Sequence, residues 1–215
     1  MMYGVDISSA QQNLDLHKIK CDFVVIKATG GNSYVNPFCN KHYYQAKASK
    51  KLIGLYHFAH ENHRPKPASV EAKYFIDNIA NYVGTSILVL DYEIPLNNVK
   101  FNQNDVAWIV QFVKYVKQRT KVIPMLYVSK SLVNTLDLKP VYQQNVGLWF
   151  AQYANYKPMG FISKPWTDGK GTRPWKYPAM FQYTSSGHLK GYHGNLDLDI
   201  FYGNKKTWKL YSHRS

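Results

Sequence analysis

The stretch Ile87-Leu-Val-Leu-Asp91-Tyr-Glu93-Ile-Pro95 places four apolar residues directly before two carboxylates. This pattern is typical of the end of a buried strand. Side chains alternate along a strand, so Asp91 and Glu93 should share one face while Tyr92 lies on the other. Burial and mutual repulsion both raise a carboxyl pKa, so one acid of such a pair can stay protonated near neutral pH while the other ionises. These are the ingredients of an acid-catalysed hydrolase; the alternative is a solvated strand end whose acids pair with nearby lysines.

Apolar runs of strand length recur along the chain, and helical patterns separate several of them. The runs cover residues 3–8, 21–31, 52–60, 87–95, 122–128, 147–153, 178–184 and 195–201. Helices are predicted at 37–50, 69–82 and 104–119, where apolar residues recur every three or four positions. Residues 155–177, rich in Pro, Gly, Lys and aromatic residues, predict a long loop. Eight strands can close a barrel, and strands that alternate with helices pair in parallel. We therefore predict a single α/β domain over residues 1–215, an incomplete (β/α) barrel with a strand-rich closing side.

Polar residues stand where these runs meet their loops. They are Asp6, Lys27, His57, Asp91, Glu93, Tyr127, Gln152, Gln182 and Asp197. In barrels of this type, working residues come from the carboxyl-terminal ends of several strands. The chain has only 13 acidic residues, so the acids gathered at these positions favour a functional site over strand ends wetted by solvent.

Composition excludes several classes of protein. The 215 residues include 27 Lys and Arg against 13 acids, a net charge of +14. Such a surface attracts polyanions, but no nucleic-acid-binding motif is present, and we expect no nucleic-acid partner. No apolar run approaches the roughly 20 residues that span a bilayer, so we expect no membrane insertion. Cys21 and Cys39 lack a metal-ligand spacing; we expect both to be reduced, with no metal or cofactor bound.

Several short motifs occur in one order along the chain. They are Gly4-Val-Asp6-Ile-Ser-Ser, Val25-Ile-Lys-Ala-Thr, Gly54-Leu-Tyr-His-Phe, Leu90-Asp91-Tyr-Glu93, Trp149-Phe-Ala-Gln-Tyr, Phe181-Gln-Tyr-Thr-Ser-Ser-Gly187 and Gly194-Asn-Leu-Asp197-Leu-Asp199-Ile-Phe. Together they resemble glycoside hydrolase family 25, the lysozymes of bacteriophage endolysins and bacterial autolysins. The resemblance implies an irregular TIM-like (β/α)5(β)3 barrel. It also implies cleavage of the β-1,4 bond between N-acetylmuramic acid and N-acetylglucosamine in peptidoglycan, with net retention.

The resemblance also implies roles for individual residues. The family's acids fall on Asp6, Asp91, Glu93 and Asp197, with Glu93 as the proton donor. Asp197 is preferred because it directly follows the Gly-Asn-Leu of the last motif, and Asp199, on the same face, is the alternative. The family often has a basic or neutral residue where Asp199 stands. Asp91, in its ionised form, would help to keep Glu93 protonated and would orient the 2-acetamido group of the substrate; whether that group or a carboxylate attacks the anomeric carbon is left open.

A glycan groove needs aromatic and polar side chains beside the acids. We expect substrate contacts from Tyr56, Tyr127, Trp166, Gln182, Lys27 and His57. Lys27 and His57 have an alternative role as structural partners of the acids. Trp149, Tyr153 and Trp175 are further aromatic candidates, although large aromatic residues in a barrel are more often part of the core.

The expected partners are peptidoglycan strands and the anionic polymers of the wall, bound by a monomer. The start of the chain, Met1-Met-Tyr-Gly-Val-Asp6, lacks the pattern of a signal peptide. We expect either accumulation in a host cytoplasm before holin-type release to the wall, if the protein comes from a phage, or export by another route. Two other functions remain open: a chitinase-like hydrolase, and a barrel that binds glycans or polyanions without cleaving them.

Overall fold

Eight strands close into a barrel in the computed structural model, which describes residues 1–213. The last two residues of the predicted domain lie outside the described part. The strands are β1 (Met2–Ile7), β2 (Phe23–Gly30), β3 (Tyr34–Val35), β4 (Leu52–Phe58), β5 (Ile87–Asp91), β6 (Met125–Ser129), β7 (Leu148–Ala151), β8 (Met180–Gly187) and β9 (Leu196–Phe201). The short β3 is an additional strand, antiparallel to β2.

Strand direction makes one side of the barrel irregular. Neighbouring strands are parallel from β1 through β2, β4, β5, β6 and β7 to β8. β9 is antiparallel to both β8 and β1 and closes the ring between them. Residues 155–177 form the predicted long loop between β7 and β8. The predicted TIM-like barrel with a strand-rich closing side is therefore confirmed.

Helices cover the outside of the barrel or close one end of it. They are α1 (Cys39–Ala48), α2 (Ala68–Ile79), α3 (Gln103–Thr120), α4 (Lys130–Thr135), α5 (Lys139–Tyr142) and α6 (Lys205–Ser212). The first three match the predicted helices, whereas the last three were not predicted. None of the helices within residues 1–213 is both long and apolar enough to cross a membrane.

The start of α3 depends on an N-terminal cap. The Asn102 side chain accepts a hydrogen bond from the Asn104 amide, and the Asp105 side chain reaches back to the Asn102 amide. This reciprocal pair satisfies amides that lack partners within the helix. The helix therefore begins at Gln103, one residue before the predicted start.

The alternation of strand side chains divides the core into two layers. One layer fills the barrel and includes Val25, Val89 and Met125; the other lies between the barrel and the surrounding helices and includes Leu88 and Phe75. Burying a side chain of this size contributes roughly 1.5–3 kcal/mol. The inner layer fills the lower barrel, so only the carboxyl-terminal mouth is left open for a cavity.

Helix α6 closes the opposite end of the barrel. Its Trp208 is 1% exposed and packs with ring centroids 4.8 Å from Phe23 and 5.0 Å from Phe201. The side chain of Asn204 caps the helix by accepting a hydrogen bond from the Thr207 amide. The barrel is thus closed at its base by an aromatic cluster.

Candidate active site

A cavity of about 290 Å³ opens at the carboxyl-terminal mouth of the barrel. Its walls come from all eight strands of the barrel and from the loops after them. The lining residues are Asp6, Ser8, Lys27, Tyr56, Phe58, Asp91, Glu93, Tyr127, Trp149, Tyr153, Gln182, Ser185 and Asp197. The predicted acids therefore meet in one cavity, together with most of the predicted substrate contacts.

Asp91 and Glu93 line this cavity from the end of β5, while Tyr92 between them is buried on the outer face. Asp91 is 8% exposed, and its Oδ1 has no hydrogen-bond partner. Glu93 is exposed at the mouth. The alternation predicted from the sequence is confirmed, and it places both carboxyl groups on the wall of one cavity.

The environment of the acid pair raises both pKa values. Burial, followed by repulsion from Glu93, raises the pKa of Asp91 well above its usual range, and the charge of Lys27 opposes this rise. Partial desolvation raises the pKa of Glu93, while the Tyr127 hydroxyl and Lys27 lower it. Asp91 is thus the more strongly affected acid. This differs from the sequence-based expectation that Asp91 is the ionised partner, because Asp91 is the more deeply buried of the two.

Two further acids lie on the facing wall, where β1 pairs with β9. Asp6 and Asp197 are opposite one another in the antiparallel register. Burial and repulsion from Asp197 raise the pKa of Asp6 well above normal. Burial and repulsion from Glu93 raise the pKa of Asp197 to about 6, and a hydrogen bond with Asp6 lowers it. The cavity therefore holds more carboxyl groups than can ionise together near neutral pH.

Asp199 lies beneath the cavity floor. It is fully buried, the Trp149 indole donates to its Oδ1 over 2.9 Å, and it also shares a hydrogen bond with Asp6. Burial and the charge of Asp197 raise the pKa of Asp199 well above normal. Of the two acids in the last motif, Asp197 is the one that lines the cavity.

Gln182 links the two walls. Its Nε2 donates to Asp6 over 2.6 Å, and its Oε1 accepts from the Tyr127 hydroxyl over 2.8 Å and from the Tyr153 hydroxyl. Because Gln182 is 3% exposed, these bonds fix the orientation of its amide. Gln182 therefore holds Asp6 and both tyrosines in place from the floor of the cavity.

The sequence of residues 5–192 matches the family described as glycosyl hydrolases family 25. The chain belongs to this family. It is therefore a glycoside hydrolase, and the resemblance noted in its motifs is confirmed.

Relatives of this family 25 enzyme align along most of its length. The autolytic lysozyme of Clostridium acetobutylicum is 27% identical over 211 residues, which cover 93% of this chain and 56% of the relative. The N,O-diacetylmuramidase of Chalaropsis sp is 28% identical over 213 residues, which cover 90% and 95%. The structure of a family 25 lysozyme from Aspergillus fumigatus is 25% identical and superposes with a TM-score of 0.77 over 99% of each chain.

Two predicted contacts of the family 25 enzyme lie away from the cavity. His57 is fully buried behind the barrel wall, where its ring bonds to Thr29 and Glu71 and stacks on Phe112. Neighbouring strand residues face opposite sides, so Tyr56 can line the cavity only if His57 does not. Trp166 lies in the loop after β7, 54% exposed, and is not among the lining residues.

Lys27 lines the cavity and is held by groups that the sequence did not reveal. Its ammonium lies 2.6 Å from Glu61 Oε2 and 4.5 Å from the centre of the Phe58 ring. Gly30 makes room for this ion pair, because a Cβ there would overlap the Glu61 carboxyl. Strand alternation from Tyr56 predicts that Phe58 also faces the cavity. No pattern in the neighbouring sequence predicts the position of Glu61.

The cavity of the family 25 enzyme continues sideways into a second hollow of about 260 Å³. Glu93, Tyr127 and Tyr153 belong to both, and the extension adds Ser129, Ala151, Gln152 and Tyr156. A larger cavity of about 530 Å³ lies outside the barrel beside Phe150. Its one lining acid, Asp168, is in an ion pair with Lys130, so the larger cavity lacks the grouped acids of the barrel mouth.

No cluster of three or more His, Cys, Asp or Glu side chains suited to a metal ion occurs within residues 1–213. Cys21 and Cys39 are unpaired, and burial raises their thiol pKa values to about 11 and about 12. Both thiols are therefore in the unreactive, protonated form near neutral pH.

Proposed function

We propose that this enzyme is an N-acetylmuramidase, a lysozyme that cleaves the β-1,4 bond between N-acetylmuramic acid and N-acetylglucosamine in peptidoglycan. The observation that carries the proposal is the meeting of Asp91 and Glu93 in one cavity where burial raises both pKa values. Relatives named as an autolytic lysozyme and as N,O-diacetylmuramidases support the choice of substrate.

Glu93 is the proton donor in this proposal. It stands at the exposed mouth, where the glycosidic oxygen of a long glycan can reach it. Cleavage passes through an oxocarbenium-like state, so the departing oxygen must be protonated as the bond to the anomeric carbon breaks. Glu93 gives its proton to that oxygen. It then takes a proton from the water that completes hydrolysis.

Asp91 assists by accepting a hydrogen bond from the substrate. Its carboxyl lines the cavity and is 8% exposed, and the N–H of a 2-acetamido group is a donor of suitable chemistry. This bond favours the ionised form of Asp91, and the resulting charge keeps the proton on Glu93. The oriented acetamido oxygen then attacks the anomeric carbon, and two inversions give net retention.

The other lining residues bind and polarise the sugar. Asp197, whose pKa is about 6, supplies negative charge on the wall opposite Glu93, which stabilises the developing positive charge, and Asp6 beside it is held by the Gln182 amide. Tyr56 and Tyr127 offer aromatic surfaces within the cavity, and Lys27 is its cation. Every one of these groups comes from a single chain, so we propose that the monomer is the active form, which light scattering of the purified protein would test.

Product analysis tests the proposal. Purified peptidoglycan digested by the enzyme should gain reducing ends that are N-acetylmuramic acid, with the β-anomer formed first in a proton NMR time course. Reducing ends of N-acetylglucosamine, or equally fast cleavage of chitin oligosaccharides, would contradict the proposed bond. Wall binding without any new reducing ends would indicate a barrel that binds but does not cleave.

Replacement of the proton donor gives the matching prediction. Glu93→Gln removes the acidic proton and little volume, so turnover should fall by about 10²–10⁴-fold. Circular dichroism should match that of the unchanged protein, since Glu93 is exposed and has no structural ion pair. Clearing of cell walls at the normal rate by this variant would remove Glu93 from the mechanism.

A further inference from the structure

Behind the acid pair, a chain of buried polar side chains crosses from α2 to α3. Glu71 on α2 bonds to the ring of His60, His60 Nε2 lies 3.2 Å from the Tyr92 hydroxyl, and that hydroxyl donates to Asp105 Oδ1 over 2.7 Å. All four residues are fully buried. Most polar groups so deeply buried in proteins are hydrogen-bonded, and each of these four side chains is.

Both ends of this chain are anchored. Glu71 accepts from the His57 ring, the His60 ring and the His60 amide, and from the amide of Lys66. Asp105 accepts from the amides of Leu96 and Asn102 as well as from Tyr92. The Tyr92 hydroxyl is therefore clamped between an anchored imidazole and an anchored carboxylate.

Tyr92 is also the residue between the two acids in the cavity. Side chains of adjacent residues in extended backbone point to opposite faces, so a rotation at Tyr92 moves Asp91 and Glu93 with it. The backbone of Asp91 is held in the sheet by its pairing with Phe58 of β4 and Tyr127 of β6, and the Tyr92 amide still bonds to the Tyr127 carbonyl. Glu93 lies two residues beyond the last residue of β5 and has no ladder pairing of its own.

We propose that the Tyr92 hydroxyl, clamped by His60 and Asp105 outside the barrel, is a positioning group that sets the orientation of Asp91 and Glu93 inside it. This inference rests on the proposed function for its kinetic test. A shift of about 1 Å in a reacting group can lower a rate by about 10²-fold, so the loss of one clamp should be visible in kcat.

The test compares Tyr92→Phe with Thr29→Val. Each variant removes one hydroxyl from the same buried network at nearly constant volume. The Thr29 hydroxyl bonds to His57, at the end of the network away from Tyr92. On soluble peptidoglycan fragments, well below both melting temperatures, Tyr92→Phe should lower kcat by about tenfold with KM nearly unchanged. Thr29→Val should lose similar stability and keep its kcat.

His60→Asn provides a second variant on the same path. Asn tolerates the left-handed backbone of residue 60, where φ is 57°. This variant should lower kcat as Tyr92→Phe does, and the double variant should lose little more, because both changes release the same hydroxyl. Normal kcat in Tyr92→Phe, or equal falls in Tyr92→Phe and Thr29→Val, would overturn the proposal.

A measurement without substrate separates this inference from the proposed function. Carbon-13 NMR titration of the carboxyl groups should give altered curves for Asp91 and Glu93 in Tyr92→Phe and unaltered curves in Thr29→Val. If the unchanged enzyme fails to cleave peptidoglycan, the proposed function is wrong, and the titration still decides the role of Tyr92. Identical titration curves in all three proteins would overturn the positioning role.

Discussion

Asp199 shows how a single buried acid couples the site to stability. Its raised pKa means that the folded state holds a proton at pH values where the unfolded chain has released it. The stabilisation is fully present below the ordinary aspartate pKa and is lost as pH rises through the raised value. Asp199 therefore makes the fold less stable toward neutral and alkaline pH.

We predict that Asp199→Asn stabilises the protein, and increasingly so as pH rises from 4 to 8. The amide can still accept from the Trp149 indole but never ionises. About 1 kcal/mol shifts the Tm of a chain of this size by about 3 °C, so calorimetry at several pH values can measure the difference. The control is Asp77→Asn on the exposed ion pair with Lys73, where no such rise is expected. A Tm difference that is constant across the pH range would contradict the prediction.

Asp91 should matter for the rate more than for binding. Asp91→Asn keeps the shape of the side chain but removes the charge that holds the proton on Glu93. We therefore expect kcat to fall by about 10²-fold or more, with binding of an uncleaved glycan nearly unchanged in titration calorimetry. A variant with normal kcat would make Asp91 a structural residue.

Residue identities could be predicted from the sequence where strand alternation decides them. Alternation correctly pairs Asp91 with Glu93 and would have excluded His57 once Tyr56 was placed inside. Glu61 was missed for a different reason. It lies in a turn where His60, Asn62 and His63 all have positive φ, so its direction depends on backbone conformations that no periodicity encodes.

At the scale of elements, α6 should contribute much of the stability at the base of the barrel. Trp208→Ala removes a buried ring between Phe23 and Phe201 and should cost about 3–5 kcal/mol of unfolding free energy. Urea unfolding measures this directly. Leu210→Ala on the same helix is the matched control, since Leu210 is 73% exposed and should cost little. Equal losses in the two variants would show that Trp208 does not pack as described.

The strands and the three long helices could be predicted because their apolar periodicity runs over many residues. The predicted start of α3 was one residue too late, because the cap depends on Asn102 and Asp105 acting together. Helices α4 and α5 have six and four residues, too short for a period to stand out. Helix α6 has eight residues, and Trp208 is its only large apolar residue that is fully buried, so its pattern is equally brief.

At the scale of the whole molecule, the net charge of +14 should act on the insoluble substrate rather than on bond cleavage. Long-range attraction to anionic wall polymers is screened by salt, with a Debye length of about 10 Å at 0.1 M. We expect activity on whole walls to fall as ionic strength rises, while activity on a short uncharged muroglycan changes little. Rate curves against salt for the two substrates measure this. Parallel falls would mean that charge acts on the site or the fold, and two flat curves would leave the charge without a role in wall binding.

Closure of the barrel by β9 has a consequence for biosynthesis. Asp6 belongs to β1, yet its hydrogen-bond partner Gln182 lies 176 positions later in the chain. Strand β9, which pairs with β1 and contains Asp197, comes later still. A ribosome synthesises the chain from its amino terminus, so it delivers these residues far apart in time. A nascent chain that still lacks β9 has one wall of the cavity missing, with Asp6 facing open water. The completed cavity, and with it any glycan cleavage, therefore has to wait until β9 has emerged.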